Sequence, residues 1–196
     1  IRARMALSQY NVKIELREIL LKDRPQELLR ISPKGTVPVL QLINGEVIDE
    51  SLNIVDWVIK NNNSDWNKVN YAEQKKIIEI NDQKFKYWLD KYKYSDRYPE
   101  QSKDFYQKKC EKYLIQYEKK ITENIFLVCD KIQIVDIAVF PFLRQYANID
   151  KLKFSKSFSK LNDYLDSISD SRLFNSVMKK YPVWSLDSKK ITTNFS

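Results

Sequence analysis

Hydrophobic and polar positions change rhythm along this chain of 196 residues. In residues 1–10, Ile1, Met5 and Leu7 recur at helical spacing, and Asn11 stands where a left-handed residue ends a helix. The next stretch alternates. Val12, Ile14, Leu16 and Ile19 are apolar with charges between most of them, which predicts a strand with one wet face. "DRPQELLRI" returns to helical spacing, with Pro25 near the first turn, where a missing N–H costs nothing. "TVPVLQLI" and "EVID" are β-rich and flank Asn44–Gly45. Asn-Gly between two such runs predicts a type I′ hairpin, with positive φ at both central residues. Ser51 opens "SLNIVDWVIK", a helix with Leu52, Val55 and Ile59 on one side, and the polar, aperiodic "NNNSDWN" reads as a linker.

From Tyr71 onward the rhythm is helical only. Ile77, Ile80, Phe85, Trp88 and Leu89 keep a period near 3.6 residues, as do Phe105, Cys110, Tyr113, Leu114, Tyr117 and Ile121. Shorter helices are expected around 134–147, 157–168 and 171–180, and no strand. The first half therefore predicts an α/β unit whose sheet needs a strand ahead of its first helix. The second half predicts an all-helical bundle of about five helices. The expected boundaries are residues 1–62 and 68–196.

Composition removes several classes of function. Hydrophobic residues at 43% and aromatics at 13% favour a dense core over long disorder. No apolar run approaches the roughly 20 residues of a membrane span, so no membrane partner is expected. The chain has no histidine and two cysteines. That excludes a Ser-His-Asp triad, a histidine base, a disulfide scaffold and a zinc site, and no metal is expected. A reducing, cytoplasmic setting is the default. The net charge of +8 lies wholly beyond residue 65. Its lysines are spread over several segments and interleaved with acids, which reads as a solvated helical surface rather than a nucleic-acid face.

The two glycines, Gly35 and Gly45, fall in one stretch, "GTVPVLQLINGEVIDES". Val37–Pro38 stands at the mouth of a strand there. Glu50–Ser51 ends the next strand and starts a helix, thirteen residues on from Val37–Pro38 and across the Asn-Gly turn. The first N–H groups of a helix have no internal partners and sit at its positive end, so an anion is favoured, and the Ser51 hydroxyl adds a donor.

"RISPKGTVPVLQLINGEVIDESLNIVDWV" resembles the N-terminal domain of soluble glutathione transferases, and "IFLVCDKIQIVDIAVFPFLRQYANID" resembles the sixth helix of their C-terminal domain. The resemblance implies α/β plus all-α: a thioredoxin-like N-terminal domain followed by an all-helical bundle. It is nearest to the omega-like, cysteine-type branch, in which a Cys-Pro-aromatic box runs into a helix much like "IRARMAL". The nucleophile, Cys or Ser, is then expected just upstream of Ile1, with no catalytic residue in the chain itself. The resemblance makes the Val37–Pro38 bond cis, so that Val37 offers its main-chain groups to the cysteinyl unit of glutathione. It sets Ser51 on the γ-glutamyl carboxylate, Glu50 on the ammonium group, and Arg24, with Lys22 as competitor, on the glycyl carboxylate. Asp136, three residues after Gln133, makes a helix-capping device in which Gln133 is a poor cap and Pro141 a kink. Cys110 and Cys129 are expected as small buried hydrophobes.

A second substrate is expected between the domains, near Tyr87, Trp88, Lys91, Tyr181 and Trp184. The implied function is glutathione-dependent transfer or thiol transfer, including dehydroascorbate reductase-type chemistry, in a cytoplasmic homodimer serving detoxification. The alternative is a non-catalytic regulatory or stress protein on the same scaffold.

Overall fold

A computed structural model describes residues 1–195. The chain forms two compact units: residues 1–63 with the C-terminal segment from Ser171, and residues 64–170. The expected boundary near residue 62 has a counterpart, but the tail does not stay with the helical half. Backbone pairing is the reason. β4 (Ile191–Thr193) runs antiparallel to β1 (Ile14–Leu16), with Ile14 opposite Thr193 and Leu16 opposite Ile191. A strand near the C-terminus was not expected, since three residues are too few to show a period.

In the first unit, α1 (Arg2–Gln9) packs on α3 (Ser51–Asn61) and on α10 (Arg172–Val177). Met5, Ala6, Val55 and Val58 are fully buried. Each large apolar side chain removed from water in this way contributes roughly 1.5–3 kcal/mol. Asn11 takes φ 51 and ends α1 as expected, its N–H reaching the Ser8 carbonyl at 3.1 Å. α2 (Gln26–Ile31) follows Pro25, which stands just outside the helix. A second sheet pairs β2 (Val39–Gln41) with β3 (Val47–Asp49), and no ladder joins the two sheets among the described residues.

The hairpin between β2 and β3 differs from the expected type I′ turn. Only Gly45 has positive φ, +88. The Gly45 N–H bonds the Leu42 carbonyl at 3.0 Å, and the Leu42 N–H bonds the Glu46 carbonyl at 2.8 Å. This is a wider loop, a turn over Ile43–Asn44 closed by a left-handed Gly45. The Asn44 side chain is occupied in accepting the Glu46 N–H at 3.0 Å.

The second unit is helical. α4 (Tyr71–Ile80) and α5 (Lys86–Lys93) join through a π-helical turn, Asn81–Phe85. α6 (Lys103–Glu123) packs along α5. α7 (Ile134–Ala147) is buried along most of its length, and a helix apolar on all sides is a central helix. α8 (Lys151–Ser157) and α9 (Ser159–Ser169) replace the single helix expected near 157–168. They part at Phe158, and the first N–H groups of α9 are capped by the Glu118 carboxylate of α6, 3.0 Å from Lys160 N and 2.7 Å from Leu161 N. Phe85 is fully buried among the rings of Tyr113, Tyr117 and Tyr146, 6.0–6.3 Å away.

The segment that read as a free linker is anchored from Ser64 on. Trp66 is buried, and buried Gln74 ties the segment to α7. Its amide donates to the Trp66 and Val69 carbonyls at 3.1 and 2.7 Å, and its oxygen accepts the Val135 N–H at 3.2 Å. No helix is long and apolar enough to cross a membrane among the described residues.

Candidate functional site

The end of the β2–β3 hairpin gathers the predicted ligand groups. Val39 pairs with Asp49 at the end of the ladder, so Val37–Pro38 leads into one strand where Glu50–Ser51 turns out of the other into α3. The Val37–Pro38 bond is cis. Val37 is 45% exposed, and its main-chain N–H and C=O have no hydrogen-bond partner among the described residues. A main-chain edge of this kind can pair with an extended peptide.

Across from it, Glu50 caps α3 with φ 67 and ψ 134, a conformation that L residues rarely adopt. Its carbonyl accepts the Ile54 N–H at 3.2 Å, while its carboxylate side chain is exposed. Ser51 is the first residue of α3 rather than its cap, and the cap residue Glu50 makes no side-chain cap bond. The first-turn N–H groups, which have no side-chain cap, therefore favour an anion at this end of α3. Asn53 binds back to the Asp49 carbonyl at 3.0 Å and fixes the strand-to-helix turn.

Arg24 reaches the same edge. A Cβ built on Gly35 would lie 3.0 Å from Arg24 Cδ and 3.0 Å from Leu29 Cδ2, so the arginine stem rests on Gly35, whose φ is +60. The guanidinium side chain is exposed. Lys22 is exposed as well. Sequence reasoning missed Lys34, whose ammonium bonds the Asp49 carboxylate at 2.9 Å and ties the loop before Val37 to the end of β3. That bond holds the Lys34 pKa above its usual value, with the Asp49 hydrogen bond as the main cause. Its only sequence signal is opposite charge in segments fifteen residues apart, which is too common to use.

The five residues expected around a second substrate fall in different units. Tyr87, Trp88 and Lys91 lie on α5. The Lys91 ammonium bonds the Glu100 carboxylate at 2.5 Å and lies 4.8–5.5 Å from the ring centres of Tyr87, Tyr98 and Tyr106. The Glu100 hydrogen bond pushes the Lys91 pKa up, so this amine stays charged. Tyr181 and Trp184 belong to the first unit. Tyr181 shares a hydrogen bond with the Thr193 hydroxyl at 3.2 Å, and Trp184 lies 4.8 Å from the Arg17 guanidinium.

Neither cysteine is poised as a nucleophile. Burial pushes the Cys110 thiol up to about 12. Cys129 is half-buried rather than buried as expected, and its thiol donates to the Lys131 carbonyl at 3.2 Å. The Gln133–Asp136 capping box is present despite the weak cap residue. Asp136 is fully buried and accepts the Gln133 N–H at 2.8 Å, the Leu127 N–H at 3.0 Å and the Tyr164 hydroxyl at 3.2 Å. Its role is to organise the start of α7.

Comparison with known proteins fits this arrangement. Residues 1–66 match the family model "Glutathione S-transferase, N-terminal domain", and residues 81–175 match "Glutathione S-transferase, C-terminal domain". The chain belongs to the glutathione S-transferase family. Solved glutathione transferases share its fold at low identity. F7 from Populus trichocarpa aligns with a TM-score of 0.74 and 18% identity over 90% of this chain and 91% of that one. URE2P6 from Phanerochaete chrysosporium, solved with oxidized glutathione, aligns with a TM-score of 0.76 and 16% identity over 90% and 88%. BphK, a bacterial glutathione S-transferase solved as a ternary complex, aligns with a TM-score of 0.72 and 19% identity over 90% and 92%. No curated protein sequence matches the chain significantly.

Proposed function

We propose that this glutathione S-transferase family member binds glutathione along the Val37 edge and transfers it to or from a small electrophile or disulfide. The supporting observation is the unpaired Val37 main chain before a cis Pro38, at the end of the hairpin from which α3 starts, with Arg24 laid over Gly35. In this reading Val37 pairs with the cysteinyl unit. Ser51 and the α3 amides take the γ-glutamyl carboxylate, Glu50 the ammonium group, and Arg24 the glycyl carboxylate. Thiol transfer of the omega-like kind is the reaction proposed. Tyr87, Trp88, Lys91, Tyr181 and Trp184 stay as candidate contacts for the second substrate. Both cysteines are unpaired in this structure, in keeping with a cytoplasmic enzyme, and a homodimer is the proposed assembly.

Calorimetric titration with glutathione tests the site. The chain should bind it, and Ser51→Ala should weaken binding about 10-fold or more, because a hydrogen bond to a charged group contributes roughly 1.5–3 kcal/mol. An intact, folded chain that does not bind glutathione would overturn the enzyme reading and favour a regulatory protein on this scaffold.

A further inference from the structure

Three pieces of the first unit meet at Asp49. Its main chain pairs with Val39 at the end of the β2–β3 ladder. Its carbonyl accepts the Asn53 side-chain amide at 3.0 Å, which ties it to the first turn of α3. Its carboxylate accepts a hydrogen bond from the Lys34 ammonium at 2.9 Å. Lys34 lies in the loop that leaves α2, where the Ser32 N–H bonds the Leu28 carbonyl at 2.8 Å and the Gly35 N–H bonds the Ser32 carbonyl at 2.9 Å. The loop that carries Val37 is therefore held to α2 on one side and to Asp49 on the other. The Lys34 and Asp49 side chains are 63% and 33% exposed. An ion pair this open to water adds little to overall stability, but it restricts how far the loop can move from the strand end. The neighbouring Glu50 carboxylate is exposed and stays outside the pair.

We propose that Asp49 is a positioning residue for glutathione: its clasp on Lys34 holds the Val37 edge at a fixed distance from the first turn of α3. This role rests on the reading of that edge as the glutathione site. The tripeptide must reach both parts at once, its cysteinyl unit on Val37 and its γ-glutamyl carboxylate on the α3 amides. A loop that swings therefore costs affinity before any contact is lost. The pairing also sorts two adjacent acids. Lys34 neutralises Asp49, to which no group of glutathione is assigned, and leaves Glu50 open to the ammonium group. An unpaired negative charge at Asp49 would repel an anion. Removing that charge should help binding if charge is all that matters, and harm it if the clasp matters.

The test titrates glutathione by calorimetry into the full chain and into Lys34→Ala, Asp49→Asn, the double variant and Lys34→Arg. Amide exchange at Gly35 is followed by NMR without glutathione. Each of Lys34→Ala and Asp49→Asn should bind about 3-fold to 5-fold more weakly. The double variant should bind no more weakly than either of them, and Lys34→Arg should bind like the unchanged chain. Gly35 exchange should speed up in Lys34→Ala and Asp49→Asn but not in Lys34→Arg, and the urea midpoint should stay the same throughout. Tighter binding by Asp49→Asn, or losses that add in the double variant, would make Lys34 a direct ligand and overturn the positioning role. A urea midpoint that falls in step with affinity would overturn it too, by making the pair a plain stabiliser. Unchanged affinity with unchanged Gly35 exchange would remove the clasp and leave the glutathione site standing. If the unchanged chain does not bind glutathione, the reading of the Val37 edge fails and the role of Asp49 falls with it, whatever Gly35 shows.

Discussion

Gly35 and Gly45 both hold positive φ, +60 and +88, but they differ in what surrounds them. A Cβ at Gly45 meets nothing within 4 Å, whereas one at Gly35 presses on Arg24 and Leu29 at 3.0 Å. Gly45→Ala should therefore cost about 1 kcal/mol, the backbone strain alone. Gly35→Ala should cost roughly 1 kcal/mol more and displace Arg24. Urea denaturation measures the first difference. Titration with glutathione measures the second, and only Gly35→Ala should weaken binding. Asp136 makes the other residue-scale case. Burial raises its pKa from 3.8 to about 6, against the opposing pull of its three donors. The folded chain thus holds the proton to higher pH than the unfolded one. Raising the pH from about 4 to about 6 strips the unfolded chain first, so stability from this group is lost across that window and is flat above it. Asp136→Asn should abolish that slope. At pH 7 it should still cost about 1–3 kcal/mol, because an amide set against the Gln133 N–H leaves a buried donor unpaired. Stability measured between pH 4 and pH 7 checks both.

Elements were legible where one period ran long enough or a special residue marked an end. α1 with its Asn11 stop, α3, α6 and α7 all carried such signals. What the sequence hid depends on partners distant along the chain. The break between α8 and α9 rests on Glu118, more than forty residues upstream of its N–H partners. The π-helical turn within 71–93 keeps the apolar spacing of an ordinary helix closely enough to pass for one. At the candidate site, the Val37–Pro38 and Glu50–Ser51 pairs were visible as a spaced motif, but the Lys34–Asp49 bond and the Arg24–Gly35 contact exist only once the hairpin closes. Gln74 shows the same limit, because an isolated glutamine in a helical pattern reads as surface. It is instead fully buried, and Gln74→Leu would strand the Val69 carbonyl and the Val135 N–H, while the Trp66 carbonyl keeps the Ile134 N–H. A loss of roughly 2–4 kcal/mol is expected. Faster hydrogen exchange at the amides of residues 64–70 and at Val135 would locate the damage at this junction, and unchanged exchange there would refute the role given to Gln74.

At the scale of the whole molecule, the chain's last residues are structural parts of its first unit. β4 supplies the neighbour that β1 pairs with, and Phe195 is 1% exposed beneath the Arg4 guanidinium, 5.3 Å from its ring centre. The Phe195 carbonyl also accepts from the Ser8 hydroxyl of α1 at 3.3 Å, and the Tyr181 ring stands 6.2 Å away. A large-to-small change at such a site loses both transfer energy and packing, so Phe195→Ala should cost about 3–5 kcal/mol. The loss belongs to the first unit, because Arg4, Ser8 and Tyr181 lie within it. A Leu161→Ala change in the second unit, where Leu161 is fully buried, should cost a similar 2–5 kcal/mol. Glutathione binding separates the two variants. At a temperature where both still fold, Phe195→Ala should lose affinity, since α1 packs on the helix that carries Ser51, and the Leu161→Ala variant should lose less. Equal affinities in the two variants would mean that the tail stabilises the first unit without shaping its ligand edge.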